Sequence, residues 1–295
     1  MLFAATPAMA ADPAVIVVTS ERSSSYNEAI EALIVELTRS GVSQSEVAVI
    51  DPTELTNRTG ATAKVIITFG AAAAQALSNS ENRAPRILAL LPRNSYEQII
   101  TGKKLQRNLT AVYLDQPISR QLDLLRLALP EARRIGVIFG PVSKQLGPSL
   151  ESAAAERGLH LTSATLEQDR SFYPLLQQVL GNSDLLLALA EPLVFNANTI
   201  QNILLASFRA RVPLLAFSPS YVKAGALLAI YSTPSQIGTQ AGTLARATLQ
   251  GRSLPAPQYP SSFTVSVNRH VARSLGLTLD EASLSAQMHQ LESKP

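Results

Sequence analysis

The sequence predicts an α/β fold of two doubly wound parallel-sheet lobes joined by a three-strand hinge. Three observations carry this expectation. Short apolar runs alternate with amphipathic helical stretches along almost the whole chain. Many of those runs are continuously apolar, as strands covered by helices on both faces must be. The alternation breaks three times, at Leu114–Ser119, Ser232–Pro234 and Leu254–Pro260, as a chain crossing three times between two lobes would.

The strand-like runs are Val15–Thr19, Val47–Ile50, Val65–Phe69, Arg86–Leu91, Leu109–Leu114, Arg134–Phe139, Leu159–Ala164, Leu185–Leu189, Leu214–Phe217, Ala226–Tyr231 and Phe263–Val267. So many strands fit two sheets better than one. The helical stripes between them include Ile30, Leu33, Ile34 and Leu37, then Leu122, Leu125 and Leu129 with Pro130 as a stop, then Leu175, Leu176, Val179 and Leu180 ended by Gly181. Ser119 is expected to cap the helix after the first break. A further helix is expected to open at Ser235, with Gly238 and Gly242 thinning one face. The repeated strand–helix order implies right-handed crossovers. The lobes are therefore assigned to residues 11–114 with 233–260, and to 115–232 with 261–295.

Composition narrows the class. The 295 residues are 46% hydrophobic and 16% charged, a well-buried globular balance. The net charge is +3, and the only basic doublets are Lys103-Lys104 and Arg133-Arg134, so no nucleic-acid surface is expected. There is no cysteine, which removes disulfides, thiolate metal sites, a cysteine nucleophile and a residue for a lipoprotein anchor. No apolar run approaches the roughly 20 residues of a membrane span. Ala8-Met9-Ala10 is a small-x-small triplet of the secretory kind. Residues 1–10 read either as a signal-peptide remnant cleaved after Ala10 or as an alanine-rich terminus, and the triplet favours the first. Export of a soluble, cysteine-free chain points to the Gram-negative periplasm.

Motifs for chemistry are absent. There is no P-loop, no dinucleotide fingerprint, no zincin helix and no nucleophile elbow. His160, His270 and His289 lack metal-ligand spacing. No enzyme activity, cofactor or metal is expected. What remains are polar, small and aromatic residues at the carboxyl ends of strands, where doubly wound sheets bind ligands. The first strand ends in Ser20, Ser24 and Tyr26, and the serines either cap the next helix or hold an anion at its start. Gly70 and Ala71 follow the third strand and let a helix start approach a ligand, or serve packing. Arg93 and Asn94 follow the fourth, where an arginine suits a carboxylate or stands in an exposed loop. In the second lobe the candidates are Pro141, Glu191, Phe217, Ser218 and Tyr221. Glu191 ends an apolar run and suits either a ligand ammonium or a helix start. The aromatic residues suit an apolar pocket wall or core packing.

Longer segments carry a resemblance. Leu109–Leu114 leads to a leucine-rich helix at Leu122–Pro130, then Ala132 and the strand through Ile135-Gly136-Val137-Ile138-Phe139. Ile237-Gly238 runs to Leu249-Gln250-Gly251 and a proline-rich connector. Val267-Asn268 runs through Ala272 to Leu275-Gly276-Leu277. In order and spacing the chain resembles the periplasmic substrate-binding proteins of ABC transporters, of the type I periplasmic binding fold, in the branch related to aromatic amino acid binding proteins. The likeness covers residues 12–280 and is carried mainly from 109 onward. It implies a monomeric protein that captures a small polar or amino-acid-like solute between two lobes by hinge closure and hands it to an inner-membrane permease. The same fold serves ligand sensing for a membrane receptor, which is the alternative. Two departures leave the ligand open: Pro92-Arg93-Asn94-Ser95 replaces a small-residue and Asp-Pro loop, and Glu191-Pro192 stands where relatives show an aspartate.

Overall fold

The computed structural model describes residues 13–39, 41–56, 62–101, 108–167 and 171–293. The expected signal-peptide remnant and the Lys103-Lys104 doublet lie outside the described residues. The chain runs β1 (Val15–Thr19), α1 (Ser24–Thr38), β2 (Val47–Ile50), β3 (Val65–Phe69), α2 (Ala71–Ser78), β4 (Arg86–Leu91), α3 (Arg93–Ile100) and β5 (Leu109–Tyr113). It continues with α4 (Ile118–Ala128), β6 (Arg134–Phe139), α5 (Gly147–Ala155), β7 (His160–Thr165), α6 (Phe172–Gly181), β8 (Leu185–Leu187), α7 (Ile200–Ala210) and β9 (Leu214–Ala216). Last come α8 (Pro219–Ala224), β10 (Leu228–Tyr231), α9 (Pro234–Leu249), β11 (Thr264–Val267), α10 (Arg269–Ser274) and α11 (Glu281–Glu292). Two compact units result, Met1–Leu114 with Thr233–Ser261 and Asp115–Ser232 with Ser262–Pro295.

The first unit holds a parallel sheet in the order β2-β1-β3-β4-β5. Val15 to Val18 have no exposed surface, because each face of β1 is covered. Val17 and Ile67 pack with Leu33 of α1 and Ile237 of α9. Ile16 and Ile66 pack on the other face with Leu77 of α2 and Tyr96 of α3. At roughly 25 cal/mol per Å² of apolar surface, burial of such branched side chains is the main stabilising term.

Helix α9 starts at Pro234, one residue before the sequence suggests, because proline suits the first helical turn. Thr233 and Gln236 close a capping box. The helix then lies against α1 through Gly238 and Gly242. A Cβ at Gly238 would stand 2.1 Å from the Ala29 carbonyl oxygen. Beside this seam the buried Glu36 carboxylate pairs with Arg246 at 2.7 Å and Arg39 at 3.1 Å.

The second unit repeats the topology. Its sheet has the order β11-β10-β9-β8-β6-β7, parallel except at one edge. At that edge β11 runs antiparallel to β10, with Tyr231 opposite Thr264. The chain leaves this unit at Ser232 and returns at Ser262, and the Ser232 hydroxyl donates to the Ser262 carbonyl at 2.6 Å. A strand that re-enters beside the end it left must run backwards. The Ser232 hydroxyl also accepts from the Gln116 amide at 2.8 Å, and Gln116 accepts from Arg120 at 2.7 Å. Arg120 forks onto Glu292 of α11 and lies 4.6 Å from the centre of the Phe263 ring. Helix α4 begins at Ile118 with Pro117 at its cap position, so Ser119 sits inside the first turn and does not cap it.

The α1–α9 seam makes a direct prediction. Gly238→Ala gains about 1 kcal/mol of helix propensity but drives a methyl group into backbone. We expect a net loss of roughly 1–3 kcal/mol in urea unfolding. Gly181→Ala, at a helical position with nothing within 4 Å, should be neutral or stabilising in the same assay. A Gly238→Ala chain as stable as wild type would show that the two helices separate at no cost.

Candidate functional site

In the first unit the strand order reverses between β1 and β3, and such a reversal opens a crevice at the strand ends. Ser20 follows β1. Its N–H donates to the Phe69 carbonyl at 2.9 Å, and its hydroxyl accepts the Ala73 N–H at 2.9 Å. The serine after the first strand thus caps the helix after the third. The helix directly after it, α1, has Ser23 at its cap position without a side-chain cap, since the Ser23 hydroxyl turns to Glu21. Ser24 is exposed in the first turn of α1.

Tyr26 joins this cluster. Burial pushes its phenol above the usual range, the Glu21 charge adds to that, and a hydrogen bond with Ser20 opposes it. Gly70 has φ +88, and a Cβ there would lie 2.5 Å from the Tyr26 hydroxyl and 2.6 Å from the Ser20 hydroxyl oxygen. Glycine is required on both counts, backbone conformation and space. Ala71 and Ala72, the exposed first residues of α2, precede the point where intrahelical bonds can use their N–H groups. The structure therefore gathers Ser20, Tyr26, Gly70 and Ala71 at one switch point.

Arg93 and Asn94 stand in the first turn of α3. The Arg93 Nε donates to Glu97 at 2.7 Å and its Nη1 donates to the Tyr259 hydroxyl at 3.2 Å. Those bonds, Tyr259 first, hold the guanidinium above its ordinary range. Two of its donors are thus engaged within the chain. The Asn94 side-chain oxygen accepts the Ser95 N–H at 2.8 Å. Tyr259 stands edge-on to Tyr113 at 5.3 Å, and Tyr113 to Tyr96 at 5.6 Å. Burial, then the neighbouring Tyr96, pushes Tyr113 up to about 12. The sequence reading missed this row, because Tyr259 sits in a proline-rich connector far along the chain. It also missed Leu90, whose φ of +53 accompanies a register shift between Ala89 and Leu91. A leucine in the left-handed region carries no sequence signature.

The second unit reverses its order between β6 and β8. Glu191 follows β8 and is 1% exposed. One carboxylate oxygen accepts the Val142 N–H at 3.0 Å, the Ser143 N–H at 2.9 Å and the Ser143 hydroxyl at 2.9 Å. The other accepts the Leu193 N–H at 3.3 Å. The burial of this acid is thus satisfied by the chain itself, where the sequence argument looked to a ligand ammonium. Gly140 makes room, since a Cβ there would meet the Glu191 carboxyl carbon at 2.5 Å. Pro141 is exposed at the tip of the same loop.

Three rings stand beyond these strands. Phe217 and Tyr221 lie 5.1 Å apart, and Phe195 lies 6.2 Å from the first and 6.4 Å from the second, all edge to face. Phe217 and Tyr221 are half-buried, and burial raises the Tyr221 phenol. Tyr221 donates to the Phe195 carbonyl at 3.4 Å. Ser218 holds the cap position of α8 and bonds the Ser220 hydroxyl at 2.9 Å. Phe195 was not among the residues singled out from the sequence. Its signal was the Glu191–Asn196 turn, read for its acid and not for its ring. Among the described residues, no group of three or more His, Asp or Glu could hold a metal ion.

A profile of the family described as ABC transporter substrate binding protein matches residues 27–290. The chain belongs to this family. Its members are binding proteins. A search of curated protein sequences finds no match. Among solved structures, this substrate-binding protein is similar to a conserved domain protein from Vibrio cholerae O1 biovar El Tor, at 22% identity and TM-score 0.63, over 92% of this chain and 97% of that one. It is similar to the ligand-free, open form of a substrate binding protein with adhesive properties from Clostridium difficile, at 16% identity and TM-score 0.73, over 90% and 95%. A Streptococcus pneumoniae ABC domain in complex with L-Trp matches at 17% identity and TM-score 0.63, over 92% and 97%. These likenesses show the same two-unit α/β fold. Among the described residues no helix of this substrate-binding protein is long and apolar enough to cross a membrane.

The switch point of the first unit is tight enough to test. Gly70→Ala places a methyl group against two hydroxyls and a left-handed backbone under strain. It should cost about 1–3 kcal/mol in thermal unfolding. Tyr26→Phe, which removes the nearest atom, should recover part of that loss in the double mutant. Additive effects of the two substitutions would mean that Tyr26 and Gly70 do not share this space.

Proposed function

We propose that the protein is the periplasmic solute-binding component of an ABC importer. One observation carries the reading. Two sheets that share the same order over five parallel strands each gather polar, small or aromatic side chains at the switch point, the place where ligands bind such sheets. The first unit offers hydroxyls at Ser20 and Tyr26 beside the start of α2. These suit a polar or anionic end of a solute. The second offers the edge-to-face rings of Phe195, Phe217 and Tyr221, which suit an apolar face. A small amino-acid-like solute has both. The L-Trp complex of the Streptococcus pneumoniae neighbour supports this solute class at the level of fold. Three chain crossings between the units support closure about a hinge, and an inner-membrane permease would receive the liganded form.

A thermal-shift screen of amino acids, small carboxylates and nucleosides tests the reading. A solute at 100 times its dissociation constant should stabilise the protein by about 2.7 kcal/mol. Small-angle scattering with that solute should show a smaller radius of gyration. A screen without any stabilising compound would count against solute capture. A stabilising compound that leaves the radius unchanged would keep capture and remove closure.

A further inference from the structure

The Glu191 carboxylate carries more than the reading above requires. Four donors of its own chain reach it, from two different loops. The Val142 and Ser143 donors belong to the loop after β6. The Leu193 donor belongs to the turn after β8. In that turn the Glu191 backbone carbonyl also accepts the N–H groups of Val194 at 3.0 Å and Phe195 at 2.8 Å. Phe195 in turn meets Phe217 and Tyr221. The acid therefore spans the switch point between β6 and β8, and one end of its span is the aromatic wall.

We infer that Glu191 is a positioning residue: it ties the loop Gly140–Ser143 to the turn that carries Phe195, so that the wall is preset and a ligand needs no cationic group at this acid. The inference rests on the reading that these strand ends receive a solute. Its physical basis is the cost of orphaning buried donors. Two amides, a hydroxyl and a third amide converge on this side chain, and only an oxygen acceptor satisfies them. A carboxylate awaiting an ammonium would keep an oxygen directed to that cation. Here one oxygen already accepts three hydrogen bonds, the other accepts the Leu193 N–H at 3.3 Å, and Gly140 closes on the carboxyl carbon.

Hydrogen exchange on the unliganded full chain tests this without any ligand, so its outcome is separate from that of the solute screen. Glu191→Met keeps the length of the side chain and removes both acceptors. Exchange at Val142, Ser143 and Leu193 should rise about tenfold or more, and exchange at Phe195 should rise with it. Glu191→Gln keeps an oxygen that can take the three bonds, and should retain most of the protection at Val142 and Ser143. A charge-dependent role predicts that Gln behaves like Met. Ser143→Ala deletes the hydroxyl that donates to Glu191 and accepts the Gly140 N–H at 3.0 Å, and should raise exchange at Val142 and Gly140 by about threefold, which decides the matter if the Met chain fails to fold. Wild-type protection in the Met or Ala chain, or loss in Gln equal to that in Met, would overturn the assignment. So would a rise at Val142 and Ser143 with none at Phe195, since the aromatic wall would then be independent of the acid.

Discussion

A parallel sheet must be covered on both faces, and the rest of this molecule follows from that requirement. Strands such as Val15–Thr19 and Val65–Phe69 are buried along their whole length, so each needs helices above and below. The connections that supply those helices return every strand to the same starting edge. All the carboxyl ends of the parallel strands in a unit therefore face one way, and the helices begin there. Close approach follows. Gly238 lets α9 rest on the backbone of α1, and Gly70 and Gly140 lie where a side chain from a neighbouring element fills the space of a Cβ.

The same constraint explains how the two switch points are built. The connections that follow the two strands part there, so backbone amides beyond the strand ends lose the ladder that pairs them elsewhere. In the first unit Ser20, after β1, reaches the Ala73 amide that follows β3. In the second unit the direction is reversed: Glu191, after β8, reaches the Val142 and Ser143 amides that follow β6. One side chain bridges each gap. A neutral hydroxyl suffices for one amide. In Glu191 a single side-chain oxygen takes three donors.

Much of the fold was legible because its signals are local. Continuous apolar runs marked the strands, and β1 to β4 and β6 begin and end where those runs do. What those runs left open lies where a distant part of the chain decides. Thr264–Val267 has a strand pattern, but its direction depends on where the chain re-enters beside Ser232. One error is local: Ser119 is a fair cap residue, but Pro117 two residues before it holds the cap position. The candidate site was legible only as positions. Strand ends drew attention to Ser20, Gly70, Glu191, Phe217 and Tyr221. What the sequence could not contain was the partner of each. Ser20 serves a helix about fifty residues away, Arg93 turns to Tyr259, and the acid of Glu191 meets a loop that precedes it by nearly as far.

Where the fold leaves polar groups unpaired sharpens the point. Thr68 and Thr110 lie inside β3 and β5, and Ser207 inside α7, each with a buried hydroxyl that finds no partner among the described residues. An orphaned hydroxyl costs on the order of 1–3 kcal/mol, yet a threonine in a strand still packs its methyl group and branched Cβ as valine would. The sheets tolerate such losses because packing there is made by shape. At the strand ends shape is not enough. Ser20, Ser143 and Glu191 each bond across to another segment or turn residue, because a loop has no ladder to fall back on and its amides are fixed only by what they bond. A binding surface set on loops must be held in place by such bonds before a ligand arrives, and the cost of ordering it is then met in folding and not in binding.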